Sequence, residues 1–171
     1  MRMLIVMASL VLFAGCSVQS SQLSAVMDLI NKPSTNVPLN SWSVKYGDYE
    51  AIIYPVTLPE GTLFSNSTGD QILFDGWSVR RFSGLGLNGS PVRISDATGE
   101  RNFMRGNRSL ALHKCDQWKH KQQFGKKQFI QSCHGAKVYS NSILVDKEGS
   151  IVVIRQIVDE RYNSLILTRL N

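Results

Sequence analysis

Short segments in which apolar and polar residues alternate run through most of this chain, separated by residues typical of tight turns. Alternate side chains of a strand point to opposite faces, so this pattern predicts half-buried β-strands. The predicted strands are residues 42–46, 49–57, 71–74, 78–82, 91–95, 109–119, 127–133, 137–145, 150–158 and 164–170. Pairs such as Gly47-Asp48 and Asn88-Gly89 lie between them and favour turns. The sequence therefore predicts an all-β fold, an antiparallel meander that forms a sandwich or a small barrel.

One segment near the N-terminus departs from the strand pattern. Ser24 can cap a short amphipathic helix over residues 25–30, and Pro33 ends it. Trp42 and Trp77 are each flanked by strand residues and are predicted to lie in the core. We expect a single all-β domain over residues 25–171 with one short N-terminal helix.

The first sixteen residues follow the order of a bacterial lipoprotein signal. Arg2 supplies a positive charge, residues 3–13 are almost wholly apolar, and Ala14-Gly15 precedes Cys16. The apolar run is shorter than the roughly 20 residues that span a bilayer. We predict that residues 1–15 are removed and that Cys16 is lipidated, with palmitate among its acyl chains. An ordinary secretory signal and an uncleaved anchor are the alternatives.

The mature chain would be basic and membrane-anchored. Removal of 15 residues from 171 leaves 156, which suits one domain, and the loss of Arg2 lowers the net charge from +6 to +5. Residues 16–24 read as a lipidated tether, and Ser17 after the cysteine is typical of sorting to the outer membrane. The positive charge indicates an anionic partner such as lipid head groups or acidic polysaccharide. Nucleic acid is not expected for an exported protein.

Two cysteines remain once Cys16 is assigned to lipid. Cys115 and Cys133 are in an oxidising compartment if the chain is exported, and each lies in a predicted strand. Strands folded about Phe124-Gly125 would place them opposite each other, with α-carbons about 4.5–5.5 Å apart. The sequence predicts a cross-strand disulfide. A redox couple is the weaker alternative, because the chain contains no CxxC motif.

No pattern of residues indicates catalysis or a cofactor. Carboxylates such as Asp146 and Glu148 are scattered near turns, and no nucleophile elbow, paired-acid pattern or P-loop is present. His113, His120 and His134 lack the spacing of a zinc site. We therefore predict no enzyme activity, no cofactor and no metal.

A basic stretch over residues 101–127 is the one constellation that favours binding. It holds eight Lys and Arg residues against Asp116 alone. Basic groups beside aromatic rings can bind acidic sugars, because the cation neutralises the anion while the ring covers the apolar side of the sugar. The candidate residues for an anionic ligand are Trp118, Lys119, Lys121, Lys126 and Lys127. The alternative is a solvated hairpin whose lysines protect a sheet edge from aggregation.

Two segments resemble the group 4 capsule and exopolysaccharide biosynthesis lipoproteins. Residues 69–87 are similar to a strand-turn-strand segment of that family, and residues 133–156 are similar to its closing hairpin at Cys133, Asn141, Asp146 and Gln156. The resemblance implies an all-β outer-membrane lipoprotein facing the periplasm and accessory to surface polysaccharide synthesis or export. Its partners would be acidic polysaccharide or envelope export proteins. The family offers no catalytic residues to carry over.

Two other classes of protein stay open. A periplasmic inhibitor of a hydrolase such as lysozyme would share the anchor, the disulfide and the size. A pilotin or assembly lipoprotein of a secretion system would share the anchor. Neighbouring genes discriminate among these classes, since glycosyltransferases and an export channel favour the first and a secretin favours the third.

Overall fold

The computed structural model describes residues 40–123 and 125–170. These residues form thirteen strands: β1 (Trp42–Tyr46), β2 (Tyr49–Leu58), β3 (Gly61–Ser65), β4 (Gln71–Phe74), β5 (Val79–Ser83), β6 (Val92–Ala97), β7 (Glu100–Arg105), β8 (Arg108–Cys115), β9 (Lys119–Gln123), β10 (Lys126–His134), β11 (Val138–Val145), β12 (Ile151–Ile157) and β13 (Ser164–Arg169). The predicted signal, Cys16 and the helix over 25–30 lie outside the described residues. Among the described residues, none belongs to a helix with the length and hydropathy to cross a membrane.

Twelve of the strands form a closed antiparallel barrel. Each of β1 to β7 pairs with the next strand along the chain, each of β10 to β12 does the same, and β13 pairs with β1. Pairing of β8 with β10 closes the ring, while β9 pairs with β10 alone. The all-β prediction is confirmed, and of its two forms the barrel is the one observed.

The closure of the barrel depends on a very short ladder. β8 and β10 are joined by two register pairs, Cys115 with Cys133 and Lys114 with His134. The first pair carries the predicted disulfide, with α-carbons 4.0 Å apart. Beyond this pair, three residues, 116–118, face only two, 131–132, so the register shifts by one. The predicted strand 109–119 is therefore divided into β8 and the first residue of β9.

The barrel interior is filled by one face of each strand. Buried apolar side chains occupy alternate positions, among them Val44, Ile53, Ile72, Phe82, Phe103, Ile154 and Leu167. Trp42 is buried as predicted and packs edge-on against Phe64 at 5.1 Å between ring centroids. The barrel is therefore a packed core.

The two ends of the barrel carry different features. Because neighbouring strands are antiparallel, β1 begins at the end where β2, β4, β6 and β8 finish. We call this the amino-terminal end. The β4–β5 and β6–β7 turns lie there, and the β9–β10 hairpin extends beyond the last residue of β8 at the same end. The β1–β2 and β7–β8 turns lie at the opposite end.

Candidate functional site

Trp77 is exposed at the amino-terminal end of the barrel, so its predicted position in the core is wrong. It lies in the turn between β4 and β5, outside the strand alternation, and 47% of its surface is accessible. Its ring lies 5.6 Å from that of Trp118 and 5.1 Å from that of Phe129, between centroids. These three residues form a surface cluster that we call the aromatic cluster. Trp118 is the member that the sequence analysis selected.

The turn that carries Trp77 is held by hydrogen bonds on both sides. Asp75 Oδ1 accepts from the backbone N–H of Trp77 at 2.9 Å and from that of Ser78 at 2.7 Å. Gln156 Nε2 donates to the carbonyl O of Trp77 at 2.6 Å, and Gln156 Oε1 accepts from the N–H of Val79 at 3.0 Å. The exposed ring is thus presented on a fixed backbone.

A buried arginine lies behind this turn. Arg101 of β7 is fully buried and donates to Asp96 Oδ2 at 2.8 Å, to Gln156 Oε1 at 3.0 Å and to the carbonyl O of Ile157 at 3.3 Å. Burial lowers the pKa of the Arg101 guanidinium, and the charge of Asp96 opposes this effect. The contacts link β6, β7, β12 and the β4–β5 turn into one network.

A cleft of about 250 Å³ opens beside the aromatic cluster. Trp77 and Trp118 line one side of it, and Asp96, Thr98 and Glu100 from the β6–β7 hairpin also line it. Asp96 Oδ1 is buried and has no hydrogen-bond partner in the described protein. Because this oxygen is shielded from solvent, the exposed carboxylate of Glu100 is the acceptor that a ligand hydroxyl in the cleft can reach.

An ion pair also lines this cleft. Arg80 Nε lies 3.6 Å from Asp75 Oδ2, and both side chains are about one-third accessible. A guanidinium and carboxylates beside flat rings can donate to and accept from the hydroxyl groups of a sugar while its apolar side covers the rings.

A second hollow, of about 350 Å³, lies across the aromatic cluster from the cleft. Lys127, Lys147 and Asp146 are among its lining residues, and Asp146 is paired with Arg169 at 2.8 Å, which leaves the two lysines as the unneutralised charges. The Lys127 ammonium lies 4.9 Å from the centroid of the Phe129 ring, which is a cation–π contact. The aromatic cluster thus separates an acidic cleft from a basic hollow, and an extended ligand could lie across both.

The structure divides the four lysines that the sequence analysis grouped. Cross-strand pairs share a face, and Phe129 pairs with His120 while Lys127 pairs with Gln122. Lys127 therefore lies on the face that carries Phe129. Lys119, Lys121 and Lys126 lie on the opposite, outer face, and all are exposed.

A larger cavity, of about 590 Å³, lies at the same end of the barrel. Its lining includes Trp42, Phe64, Phe74 and Ile154, which are core residues. Such walls are needed for packing whether or not a ligand binds. The cleft has the stronger chemical signal, because exposed aromatic rings and several polar groups converge there.

The three histidines do not converge. His113 is buried, stacks on Tyr162 at 5.2 Å between centroids and shares a hydrogen bond with Tyr139 Oη at 2.9 Å. Burial lowers the pKa of His113, and the nearby charge of Arg101 lowers it further. Across residues 40–123 and 125–170, no three His, Cys, Asp or Glu side chains are placed to hold a metal ion.

Several residues of the site escaped the sequence analysis. Phe129 follows the alternation of a predicted strand, and Asp75, Arg80 and Asp96 belong to no pattern that indicates a binding site. The one available signal is Asp75-Gly76 directly before Trp77, because a tryptophan placed within a turn is removed from the core-facing alternation.

Comparison with known structures supports the fold. The chain is similar to the crystal structure of the hypothetical lipoprotein YmcC from Escherichia coli, with a TM-score of 0.55 and 10% sequence identity. The similarity covers 79% of this chain and 85% of that one. No protein-family model and no curated protein matches this chain. At this identity, the similarity shows a shared fold.

Proposed function

We propose that this protein is a non-enzymatic lipoprotein, anchored through Cys16 to the bacterial outer membrane and facing the periplasm. Its role is accessory to the synthesis or export of a surface polysaccharide, and it binds the glycan across the aromatic cluster. The lipoprotein signal supports the anchor. YmcC, which has a similar fold, is itself described as a hypothetical lipoprotein.

The aromatic cluster between two polar hollows carries the proposal. A chain of sugars presents alternating apolar faces and hydroxyl edges, so it needs rings flanked by hydrogen-bonding groups. Trp77 and Trp118 supply the rings, and Arg80 and the exposed Glu100 supply a donor and an acceptor. Lys127 adds a cation for a uronate or phosphate group on the far side of Phe129.

The positions of the hydrogen-bonded pairs of titratable side chains favour a binding role over catalysis. Tyr46 with Asp159, Tyr49 with Asp70, and His113 with Tyr139 are hydrogen-bonded pairs in the described residues. None of their members lines the cleft or the basic hollow. A reaction at the aromatic cluster would therefore proceed without these acid–base pairs.

Glycan binding is tested with uronate oligosaccharides and neutral glucan oligosaccharides of equal length, by calorimetry on the lipidated protein in detergent. Trp118→Ala and Trp77→Ala should each weaken binding of both ligands about tenfold, as expected for central interface tryptophans. Lys127→Gln should weaken uronate binding alone, and salt should reduce that binding. Leu112→Ala is the matched control, since Leu112 is an exposed apolar residue of β8 outside both hollows.

Unchanged affinity in both tryptophan variants, with circular dichroism showing an intact fold, would refute glycan binding at this cluster. The anchor is tested separately by labelling with radioactive palmitate. Wild type should incorporate the label and Cys16→Ser should not. Incorporation into both proteins would contradict lipidation at Cys16.

A further inference from the structure

The outer face of the β9–β10 hairpin carries three lysines. Lys119 pairs with Ile130, and Lys121 pairs with Gln128, so their side chains share one face with Lys126. Strands β9, β10 and β11 contain no Asp or Glu. Asp116 lies beside Lys119 and Lys121 in a shallow hollow, which leaves the face positive. We call Lys119, Lys121 and Lys126 the outer lysine strip.

The strip lies at the end of the barrel where the described chain begins. The hairpin projects from the amino-terminal end, and Asn40 is the first described residue at that end. Residues 16–39, which number 24, link the predicted lipid site to the barrel. A segment of 24 residues reaches at most about 80–85 Å, whatever its conformation, so the lipid keeps the barrel within that distance of the membrane. The hairpin is therefore within reach of the membrane that holds the lipid.

We propose that the outer lysine strip docks onto anionic lipid head groups of the anchoring membrane. The proposal rests on the lipid anchor of the proposed function. Each basic residue near an anionic membrane surface favours docking about fivefold, so three favour it by about a hundredfold. Docking through the outer face leaves Lys127 and Phe129, on the inner face, turned away from the bilayer. The strip thus orients the aromatic cluster toward the periplasm.

The test uses the lipidated full-length mature protein in vesicles of phosphatidylcholine alone or of phosphatidylcholine mixed with phosphatidylglycerol. An amine-acylating reagent is added, and the rate of modification of each lysine is measured by mass spectrometry. On the anionic vesicles, labelling of Lys119, Lys121 and Lys126 should slow about tenfold or more, and high salt should restore it. Lys45, exposed at the opposite end of the barrel, should react equally on both.

A charge-reversed variant tests the same strip without relying on its labelling. Energy transfer from the tryptophans to a dansyl-labelled lipid should rise on anionic vesicles for wild type, and Lys119→Glu/Lys121→Glu/Lys126→Glu should abolish the rise. The matched control reverses Lys45, Arg105 and Arg108, which are exposed at the opposite end. This control changes the net charge equally and should behave as wild type.

Three outcomes overturn the inference. Equal labelling of the strip on both vesicle types shows that it does not dock, and equal loss of energy transfer in both triple variants shows a net-charge effect. The third outcome is that soluble uronate oligosaccharide, added with neutral vesicles, slows labelling of the strip as strongly as phosphatidylglycerol does. This result would show that the strip binds glycan instead of lipid. Failure of the lipid anchor is distinguishable from failure of docking by flotation of the protein with vesicles. A protein without the anchor would not float with neutral vesicles, whereas a docking strip would still make it float with anionic vesicles in a salt-sensitive way.

Discussion

The buried side chain of Gln156 fixes the backbone of Trp77, 79 residues earlier in the chain, by donating from Nε2 to the Trp77 carbonyl O at 2.6 Å. Its Oε1 accepts from Val79 N–H and from Arg101 Nη2, both at 3.0 Å. One side chain in the barrel interior thus sets the position of an exposed ring of the candidate site.

Gln156→Met should remove these hydrogen bonds while keeping the volume of the side chain. It leaves the Trp77 carbonyl and the Val79 N–H unpaired, so we expect a loss of about 2–3 kcal/mol in the free energy of unfolding. Urea denaturation measures this, and the near-ultraviolet circular dichroism of the tryptophans should change as the Trp77 ring moves. Gln71→Met is the control, because Gln71 is exposed on β4. Equal stability of the two variants would contradict the role of Gln156.

The ion pair of Asp96 and Arg101 should show an asymmetry between its partners. Asp96→Ala leaves a fully buried guanidinium without its counter-charge, which should cost about 3–5 kcal/mol. Adding Arg101→Met removes the unpaired charge, so the double variant should be more stable than Asp96→Ala alone. A double-mutant cycle by urea denaturation measures this. A double variant less stable than Asp96→Ala would show that Arg101 stabilises the barrel mainly through its other contacts.

The disulfide lies at one of the two shortest ladders of the barrel, which have two register pairs each. Since β8 and β10 share only two register pairs, the Cys115–Cys133 bond holds the seam closed. A closed loop of this size should contribute about 3 kcal/mol on the chain-entropy model. Reduction should lower the unfolding free energy by this amount and speed amide exchange at Asp116, whose N–H donates to the Ser132 carbonyl across the seam. Amide exchange at Ile53, on the opposite wall of the barrel, should change only through global unfolding. Unchanged exchange at Asp116 after reduction would show that the disulfide does not hold this seam closed.

Asp70 gives a pH dependence with a definite sign. Burial alone would raise its pKa, but hydrogen bonds from Tyr49 Oη and Leu85 N–H, both at 2.6 Å, and from Asn66 Nδ2 at 2.7 Å lower the pKa below its ordinary value. A carboxyl group with a lowered pKa stabilises the fold above about pH 4 and loses that effect as the pH falls through the folded-state pKa.

The matched variant for this effect is Asp70→Asn. We expect it to be about 2 kcal/mol less stable than wild type at pH 7. The difference should shrink steadily below about pH 4, measured by thermal unfolding across the range. A difference that is constant with pH would show that the charge of Asp70 contributes nothing.

The sequence pattern predicted most strands, and the exceptions have identifiable causes. β7 was missed because its inward positions include Arg101, which breaks the apolar alternation that identifies a strand. β3 was missed because it is only five residues long and Phe64 is its one fully buried side chain. The cysteine pairing was predictable, since the chain reverses once, at the β9–β10 turn, and this places β8 and β9 in succession along β10.

The site was harder to predict than the fold. Trp118 was found because it lies within the basic stretch, but its contact with Trp77 joins segments far apart in the chain. Asn141 and Gln156, which carried part of the family resemblance, are fully buried polar residues that hold neighbouring strands. Asn141 donates to Gln131 Oε1 at 3.0 Å and accepts from Ile157 N–H at 2.9 Å. Burial of a polar side chain depends on tertiary partners, so spacing along the sequence does not reveal it.

Thr98, on the rim of the cleft, holds a backbone conformation that disfavours its own side chain. Its φ is +50°, in the left-handed region, where a β-branched residue is strained by roughly 1–2 kcal/mol. Asn tolerates this region, so Thr98→Asn should raise the unfolding free energy by about 1 kcal/mol. The control is Thr57→Asn, an exposed position within β2, where the loss of a β-branched side chain should slightly destabilise the strand. Thermal unfolding of the two variants measures both changes in stability. A Thr98→Asn variant less stable than wild type would mean that contacts of the threonine side chain stabilise the fold by more than its backbone strain costs.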